Sequence, residues 1–112
     1  MQIQQVAKEL SVHPDTIRRW ERLGIIPQVR RDSDGLRNFS DRDVQWLKCA
    51  KVLNQFGVST DFQREYTHLV MLGKKAAPAR HTFLQEQLVQ MQNDHQSVIS
   101  AIDQMEKLAE QQ

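Results

Sequence analysis

Arginine side chains dominate the stretch TIRRWERLGIIPQVRRDSDGLRNF, residues 16–39. Six arginines and no lysine fall within these twenty-four residues. A guanidinium is a planar fork that stays charged at physiological pH and pairs bidentately with phosphate or with a guanine edge. These residue types favour nucleic-acid binding. The alternative is an ordinary solvated surface, because four acids lie beside or among the arginines: Asp15, Glu21, Asp32 and Asp34.

Other reactive side chains give weaker patterns. Cys49 is the single cysteine, so an internal disulfide is excluded. Its spacing from Trp46 and Leu53 places it on an apolar stripe, which predicts a buried structural residue, and a redox or electrophile sensor is the alternative. No glycine loop or nucleophile motif suggests an enzyme, and we expect no cofactor. The histidines show no tight ligand spacing, so no metal site is predicted: His13, His68, His81 and His95.

The arginines lie on elements that the apolar spacing indicates. Residues 3–10 carry apolar side chains at i, i+3, i+4 and i+7, which is typical of a short helix. Pro14 and Asp15 then suit the first turn of a second helix, which Gly24 ends. Ile17, Trp20 and Leu23 form its inward stripe. Two short helices joined by a tight turn predict a helix-turn-helix.

Beyond the second helix, a hairpin and two more helices are expected. The segments 25–31 and 36–39 flank the turn residues DSDG, which predicts a small β-hairpin. Ser40 and Asp43 resemble a capping box, and Ser59 can cap a fourth helix. The apolar positions of that fourth helix are Phe62, Tyr66, Leu69, Val70 and Leu72.

The last third of the chain has a heptad seam. Its members recur at alternating steps of four and three residues: Leu84, Leu88, Met91, His95, Val98, Ile102, Met105 and Ala109. Such a narrow stripe on a helix from about residue 77 to 109 predicts a coiled coil with a second copy of the chain. Packing along its own domain is the alternative. His95 is interpreted as a polar residue that sets the register.

The motifs TIRRWERLGIIP, GLRNFSDRDVQWL and GVS, in this order, resemble the MerR family of bacterial transcriptional regulators. The segment EYTHLVMLGKKAAPARHTFL is similar to its aldehyde- and thiol-stress-responsive branch. The resemblance implies a mostly α fold: a winged helix-turn-helix DNA-binding domain over residues 1–73 and a dimerisation helix over residues 77–109. It also implies an antiparallel homodimer that binds an inverted repeat in double-stranded DNA and distorts the promoter to act with RNA polymerase.

The resemblance also assigns roles to single residues. Arg37 matches the wing arginine that grips phosphate, and Arg19 and Trp20 replace a pair of tyrosines. Separately from these matches, Tyr66 and Arg80 are candidates for an effector site where the fourth helix meets the coiled coil, and Cys49 is a candidate sensor although the reactive cysteine of the thiol-responsive relatives falls three positions later. The residues expected to contact DNA are Thr16, Arg18, Arg19, Trp20, Arg22, Arg31 and Arg37.

Charge and hydropathy set the remaining limits. Residues 1–58 hold ten basic and seven acidic side chains, whereas residues 59–112 hold five and seven. The basic character therefore belongs to the half that carries the helix-turn-helix. Without a bilayer-length apolar run, we expect no membrane partner. The single cysteine and an N-terminus without the apolar core of a signal peptide favour a cytoplasmic location. An excisionase-like or architectural DNA-binding factor, without transcriptional activation, is the alternative function.

Overall fold

We describe the fold from a computed structural model of residues 1–112. The chain is mostly helical and divides into two compact units, Met1–Ala77 and Pro78–Gln112. The first unit contains α1 (Ile3–Leu10), α2 (Pro14–Arg22), α3 (Asp41–Gln55), α4 (Thr60–Met71) and a short 3₁₀ turn (Lys74–Ala76). Helix α5 (Ala77–Glu110) makes up almost all of the second unit. None of these helices is long and apolar enough to cross a bilayer.

Local capping explains where α2, α3 and α4 begin. Ser40 and Asp43 form the predicted capping box, with Ser40 Oγ accepting from the Asp43 N–H at 3.1 Å and Asp43 Oδ2 accepting from the Ser40 N–H at 2.9 Å. Ser59 caps α4 through the Phe62 N–H at 3.0 Å. His13 caps α2, because its Nδ1 accepts from the Asp15 N–H at 3.0 Å. The imidazole of His13 thus caps the helix, a role that serine or threonine usually fills.

One apolar core holds the first unit together. Val6 of α1, Ile17 of α2 and Leu47 of α3 are fully buried at its centre. The rest of the cluster comes from all three helices and from the segments between them: Ile3, Ala7, Leu10, Trp20, Ile25, Ile26, Val29, Phe39, Val44 and Ala50. The predicted inward stripe of α2 therefore packs as expected at Ile17 and Trp20.

The predicted β-hairpin over residues 25–39 is wrong, because this segment contains no strand. A single antiparallel bridge joins Arg31 and Arg37. Side chains take the backbone N–H groups that a ladder would need: Val29 donates to Glu21, and Leu36 donates to Asp32 Oδ1. Because these carboxylates compete in this way with regular strand pairing, the chain folds into a turn. We call residues 29–39 the turn segment.

Helix α4 also packs differently from its predicted apolar face. Its buried residues are polar, Gln63 and Thr67, whereas Leu72 is exposed. Both buried side chains are satisfied: Gln63 Nε2 donates to the Val58 carbonyl at 3.1 Å, and Thr67 Oγ1 donates to the Ile25 carbonyl at 2.9 Å. Burial of a polar group is tolerated when it is hydrogen-bonded, so α4 can turn its polar side inward.

Helix α5 is a single uninterrupted helix of 34 residues. At 1.5 Å per residue its length is about 50 Å. None of its residues is buried. Its seam side chains Leu88 and Met91, and Val98 and Ile102 further on, are exposed.

Candidate nucleic-acid interface

An open groove of about 750 Å³ lies in the first unit, and basic side chains line it. Arg18 and Arg22 reach it from α2, Arg37 from the turn segment, and Arg64 and His68 from α4. The rest of the lining consists of Glu21, Gly24, Ile26, Pro27, Gln28, Thr67 and Met71. The lining holds four arginines and one carboxylate, and Arg18 and Arg64 also pair with Asp15 and Asp61 outside it. The lining is therefore basic, which suits an anionic partner. We call it the arginine groove.

Helix α2 presents the arginines because its other side is occupied. Ile17 and Trp20 are fixed in the core, so Arg18 and Arg22, one turn apart, point away from it. Arg18 Nη1 contacts Asp15 Oδ1 at 2.7 Å, and this pair is well exposed. Exposed ion pairs within one helix contribute little free energy, so Arg18 can exchange Asp15 for another anion at small cost.

Gly24 lets the chain leave α2 beside α4. Its φ of +75° lies in the left-handed region, which disfavours any side chain. A Cβ there would also lie 3.6 Å from Cγ of Arg64. Arg64 therefore runs close along the backbone that ends α2, and its Nη2 contacts Asp61 Oδ1 at 2.6 Å in an exposed pair.

The ion pair between Glu21 and Arg37 is of a different kind. Glu21 Oε1 accepts from Arg37 Nε at 2.6 Å, and the two side chains are only 11% and 20% exposed, in that order. The second oxygen of Glu21 accepts from the Val29 N–H at 2.7 Å. Arg37 is thus held by α2. The resemblance suggests a contact with phosphate for this residue.

The remaining DNA-contact candidates lie outside the arginine groove or in the core. Thr16 is half-buried and Arg19 is exposed on α2, outside the lining of the arginine groove. Arg31 is exposed in the turn segment, where its Nη1 donates to the Gly35 carbonyl at 2.8 Å. Trp20 is only 6% exposed and belongs to the core, so the assignment of its side chain to DNA contact is corrected.

Arg64 and His68 are the groove residues that the sequence did not indicate. They lie one turn apart on α4, which suggests a shared face. Only the packing of α4 against the end of α2 places that face beside Arg18 and Arg22. No local pattern in the sequence reports this long-range contact.

The sensor candidates fall in both units of the chain. Cys49 is exposed, so its predicted burial is wrong. The buried face of α3 consists of Val44, Leu47 and Ala50, and Cys49 lies beside this face. Tyr66 stacks on Phe62 with ring centroids 5.9 Å apart. Arg80 belongs to the second unit and is partly exposed on α5.

Comparison with known proteins explains the arrangement of helices. The profile of the MerR helix-turn-helix regulatory proteins matches residues 1–68, which is more than half of the chain. This chain belongs to the MerR family. The transcriptional regulator AdhR of Bacillus subtilis is 34% identical over 87 residues, covering 78% of this chain and 62% of AdhR. The regulator ZntR of Escherichia coli is 32% identical over 80 residues, covering 71% of this chain and 53% of ZntR.

Solved structures of MerR proteins agree with the fold. A protein described as a MerR family transcriptional regulator from Listeria monocytogenes superimposes with a TM-score of 0.86 at 27% identity, covering 95% of this chain and 80% of its own. HiNmlR, a MerR family regulator lacking the sensor domain, was solved bound to promoter DNA. It gives a TM-score of 0.79 at 25% identity and covers 96% of this chain and 86% of its own. This chain spans less than two thirds of the length of AdhR and of ZntR.

Proposed function

We propose that this chain is a sequence-specific DNA-binding transcriptional regulator that binds an inverted-repeat operator as a homodimer. The observation that carries the proposal is the arginine groove, in which Arg18, Arg22, Arg37 and Arg64 converge from three segments. Arginine is the side chain best suited to bidentate contact with phosphate and guanine. The structural likeness to HiNmlR, which was solved on promoter DNA, supports the same reading.

Helix α2 is the recognition element in this proposal. In helix-turn-helix proteins the second helix enters the major groove, and its first turns contact base edges. Thr16, Arg18 and Arg19 lie in that part of α2. Arg22, Arg37 and Arg64 lie at the edge of the helix or on neighbouring segments, where contacts with phosphate position the protein without reading sequence. The turn segment takes the place of the expected hairpin wing, and Arg31 at its bridge is a further phosphate contact.

The homodimer rests on α5. Its seam is mostly apolar and mostly exposed, with Leu88 at 43% and Ile102 at 62% accessible surface in the single chain. A regular seam over more than three heptads is typical of helices that pair. The seam that we propose to be buried against a second copy comprises Leu84, Leu88, Met91, His95, Val98, Ile102, Met105 and Ala109. By the resemblance to the family, the two helices run antiparallel.

Two DNA-binding units on one helix pair imply a mechanism. Phosphate contacts made at two fixed places can bend or untwist the DNA between them, at a cost of about 1–6 kcal/mol for a moderate bend. We propose that the dimer distorts promoter DNA in this way and so changes how RNA polymerase engages it. Such a regulator works in the cytoplasm. Tyr66 and Arg80 are the positions where we propose an effector signal enters, and Cys49 is the third candidate.

Binding-site selection from a random DNA library tests the proposal. We expect the recovered duplexes to contain an inverted repeat and to bind two copies of the chain, as measured by native mass spectrometry. The matched control replaces Arg18, Arg22 and Arg64 with alanine, which removes three of the four arginines from the groove without touching the core. Recovery of no common sequence, or equal binding by the control, would refute the proposal.

A further inference from the structure

Glu21 is the only acidic side chain that lines the arginine groove. Its side chain is 11% exposed, and both carboxylate oxygens are engaged. Oε1 accepts from Arg37 Nε at 2.6 Å and Oε2 accepts from the Val29 N–H at 2.7 Å. One side chain of α2 therefore holds the turn segment near both of its ends.

An acid in this position needs an explanation. A carboxylate near a phosphate backbone repels it, so Glu21 lowers the affinity of the groove for any DNA. Partial burial of a charge also has a desolvation cost, which its two hydrogen bonds offset. A side chain that weakens binding in general can still improve discrimination, if it fixes the geometry of the groups that read the DNA.

The geometry of the contact suits that role. Because Arg37 donates to Glu21 through Nε, both terminal amine groups of its guanidinium remain available at the far end of the fork. That end is the edge that pairs bidentately with a phosphate. The same carboxylate anchors Val29, where the turn segment begins. Glu21 of α2 thus fixes both the direction of the Arg37 side chain and the position at which the turn segment begins.

We infer that Glu21 is a positioning residue for DNA recognition. It holds Arg37 and the turn segment at a fixed offset from α2, so that phosphate contact is made only when α2 meets the correct base edges. This inference rests on the proposed function and deepens it, since it names the residue that couples backbone contact to base reading. The partner class is double-stranded DNA.

A carboxylate is required because both contacts are accepted from N–H groups. Glutamine has one accepting oxygen, and its amide nitrogen would face the second donor. Glu21→Gln therefore keeps the size of the side chain but loses one of the two contacts, and it removes the negative charge. Loss of the negative charge should raise the affinity for any DNA, whereas loss of the contact should lower the affinity for the selected sequence. The two effects can therefore be distinguished.

The experiment measures two affinities of the full chain by fluorescence anisotropy. One probe is a duplex recovered by in vitro selection with the wild-type chain, and the other is a scrambled duplex of equal length. For Glu21→Gln we expect about tenfold weaker binding to the selected duplex, the size of effect expected from one lost hydrogen bond. Binding to the scrambled duplex is expected to be unchanged or stronger. Glu9→Gln, an exposed acid on α1 outside the groove, is the charge-matched control and should keep the wild-type ratio.

A second variant distinguishes a loss of positioning from a loss of folding. Arg37→Lys keeps the positive charge and leaves the bond from Val29 to Glu21 in place, but lysine has no planar fork. We expect a similar loss of discrimination at an unchanged melting temperature. Glu21 is not a positioning residue if both variants keep the wild-type ratio of affinity for the selected duplex to affinity for the scrambled duplex. The same conclusion follows if a variant binds both duplexes more weakly only in proportion to a smaller folded fraction. If the wild-type chain shows no preference for any duplex, the proposed function itself fails.

Discussion

The hydroxyl of Thr67 donates a hydrogen bond of 2.9 Å to the carbonyl of Ile25, 42 residues earlier in the chain. Both residues are buried, so the bond fixes α4 beside the backbone that leaves α2. Arg64 and His68 flank Thr67 on the helix, three residues before it and one after it. This contact therefore helps to hold the basic face of α4 beside the arginines of α2, where it forms part of the arginine groove.

Arg64 should contribute to DNA binding through phosphate contact alone. A dimer that neutralises about eight phosphates has a slope of about −7 for log K against log salt. Arg64→Ala should flatten that slope by about 2, because each protomer loses one contact. Affinity should fall similarly for all sequences. Lys75→Ala, an exposed cation outside the groove, is the control, and equal slopes for both variants would remove α4 from the interface.

Substitution of Arg18 should affect DNA binding in a different way from substitution of Arg22. Arg18 lies in the first turns of α2, where base edges are read, so Arg18→Ala should reduce discrimination at one base pair by about 1–3 kcal/mol. Arg22→Ala should weaken all sequences by a similar factor. Repeating the selection with each variant distinguishes these results. A wild-type sequence preference in Arg18→Ala would place base reading elsewhere.

The heptad seam should determine the oligomeric state. Leu88→Lys combined with Ile102→Lys puts charges into two layers of the proposed helix pair, which apolar seams do not tolerate. We expect a monomer by light scattering, with weak DNA binding. Val89→Lys is the matched control, because Val89 is exposed on α5 but lies off the seam. A double variant that remains dimeric would show that the seam does not form the dimer interface.

Cys49 should be chemically accessible and structurally dispensable. Because it is exposed, Cys49→Ser should change the free energy of unfolding by less than about 0.5 kcal/mol. The native chain should react with a thiol reagent without denaturant, and DNA affinity should be the same in the variant. A sensor role would be revealed if diamide altered DNA binding of the wild-type chain but not of Cys49→Ser.

Trp20 should act on stability, although its position in the motif suggests DNA contact. Truncation of a buried tryptophan leaves a cavity, so Trp20→Ala should lower the free energy of unfolding by about 3–5 kcal/mol. Trp46→Ala should cost less, because Trp46 is only partly buried. Chemical denaturation measures both. A stable Trp20→Ala variant with weakened DNA binding would return Trp20 to the interface.

Local signals in the sequence predicted local structure well. The bounds of α1, the capping box at Ser40 and the cap at Ser59 follow from spacing and residue type over a few positions. The hairpin failed for a related reason: Asp32 and Glu21 take backbone N–H groups that the strand pattern assigned to a ladder. Competition between side chain and backbone depends on three-dimensional geometry that alternation of residue types does not contain.

The candidate site was only partly predictable for the same reason. Arg18, Arg22 and Arg37 were expected from their residue type and motif. Arg64 and His68 join them through the packing of α4, and Glu21 through a contact with a residue sixteen positions away. The exposure of Cys49 shows the limit of an apolar stripe as a guide, because its neighbours Leu47 and Ala50 turn to the core and leave it outside.

Hydroxyl-radical footprinting of the wild-type chain on a selected duplex tests the central claim most directly. Two copies that each grip DNA through α2 and the arginine groove should protect two symmetric patches of backbone, one in each half of an inverted repeat. A site between them should show altered reactivity where the DNA is distorted. The account predicts this symmetric pattern, and its loss when Arg18, Arg22 and Arg64 are alanine. A single protected patch, or protection that is uniform along the duplex, would contradict it.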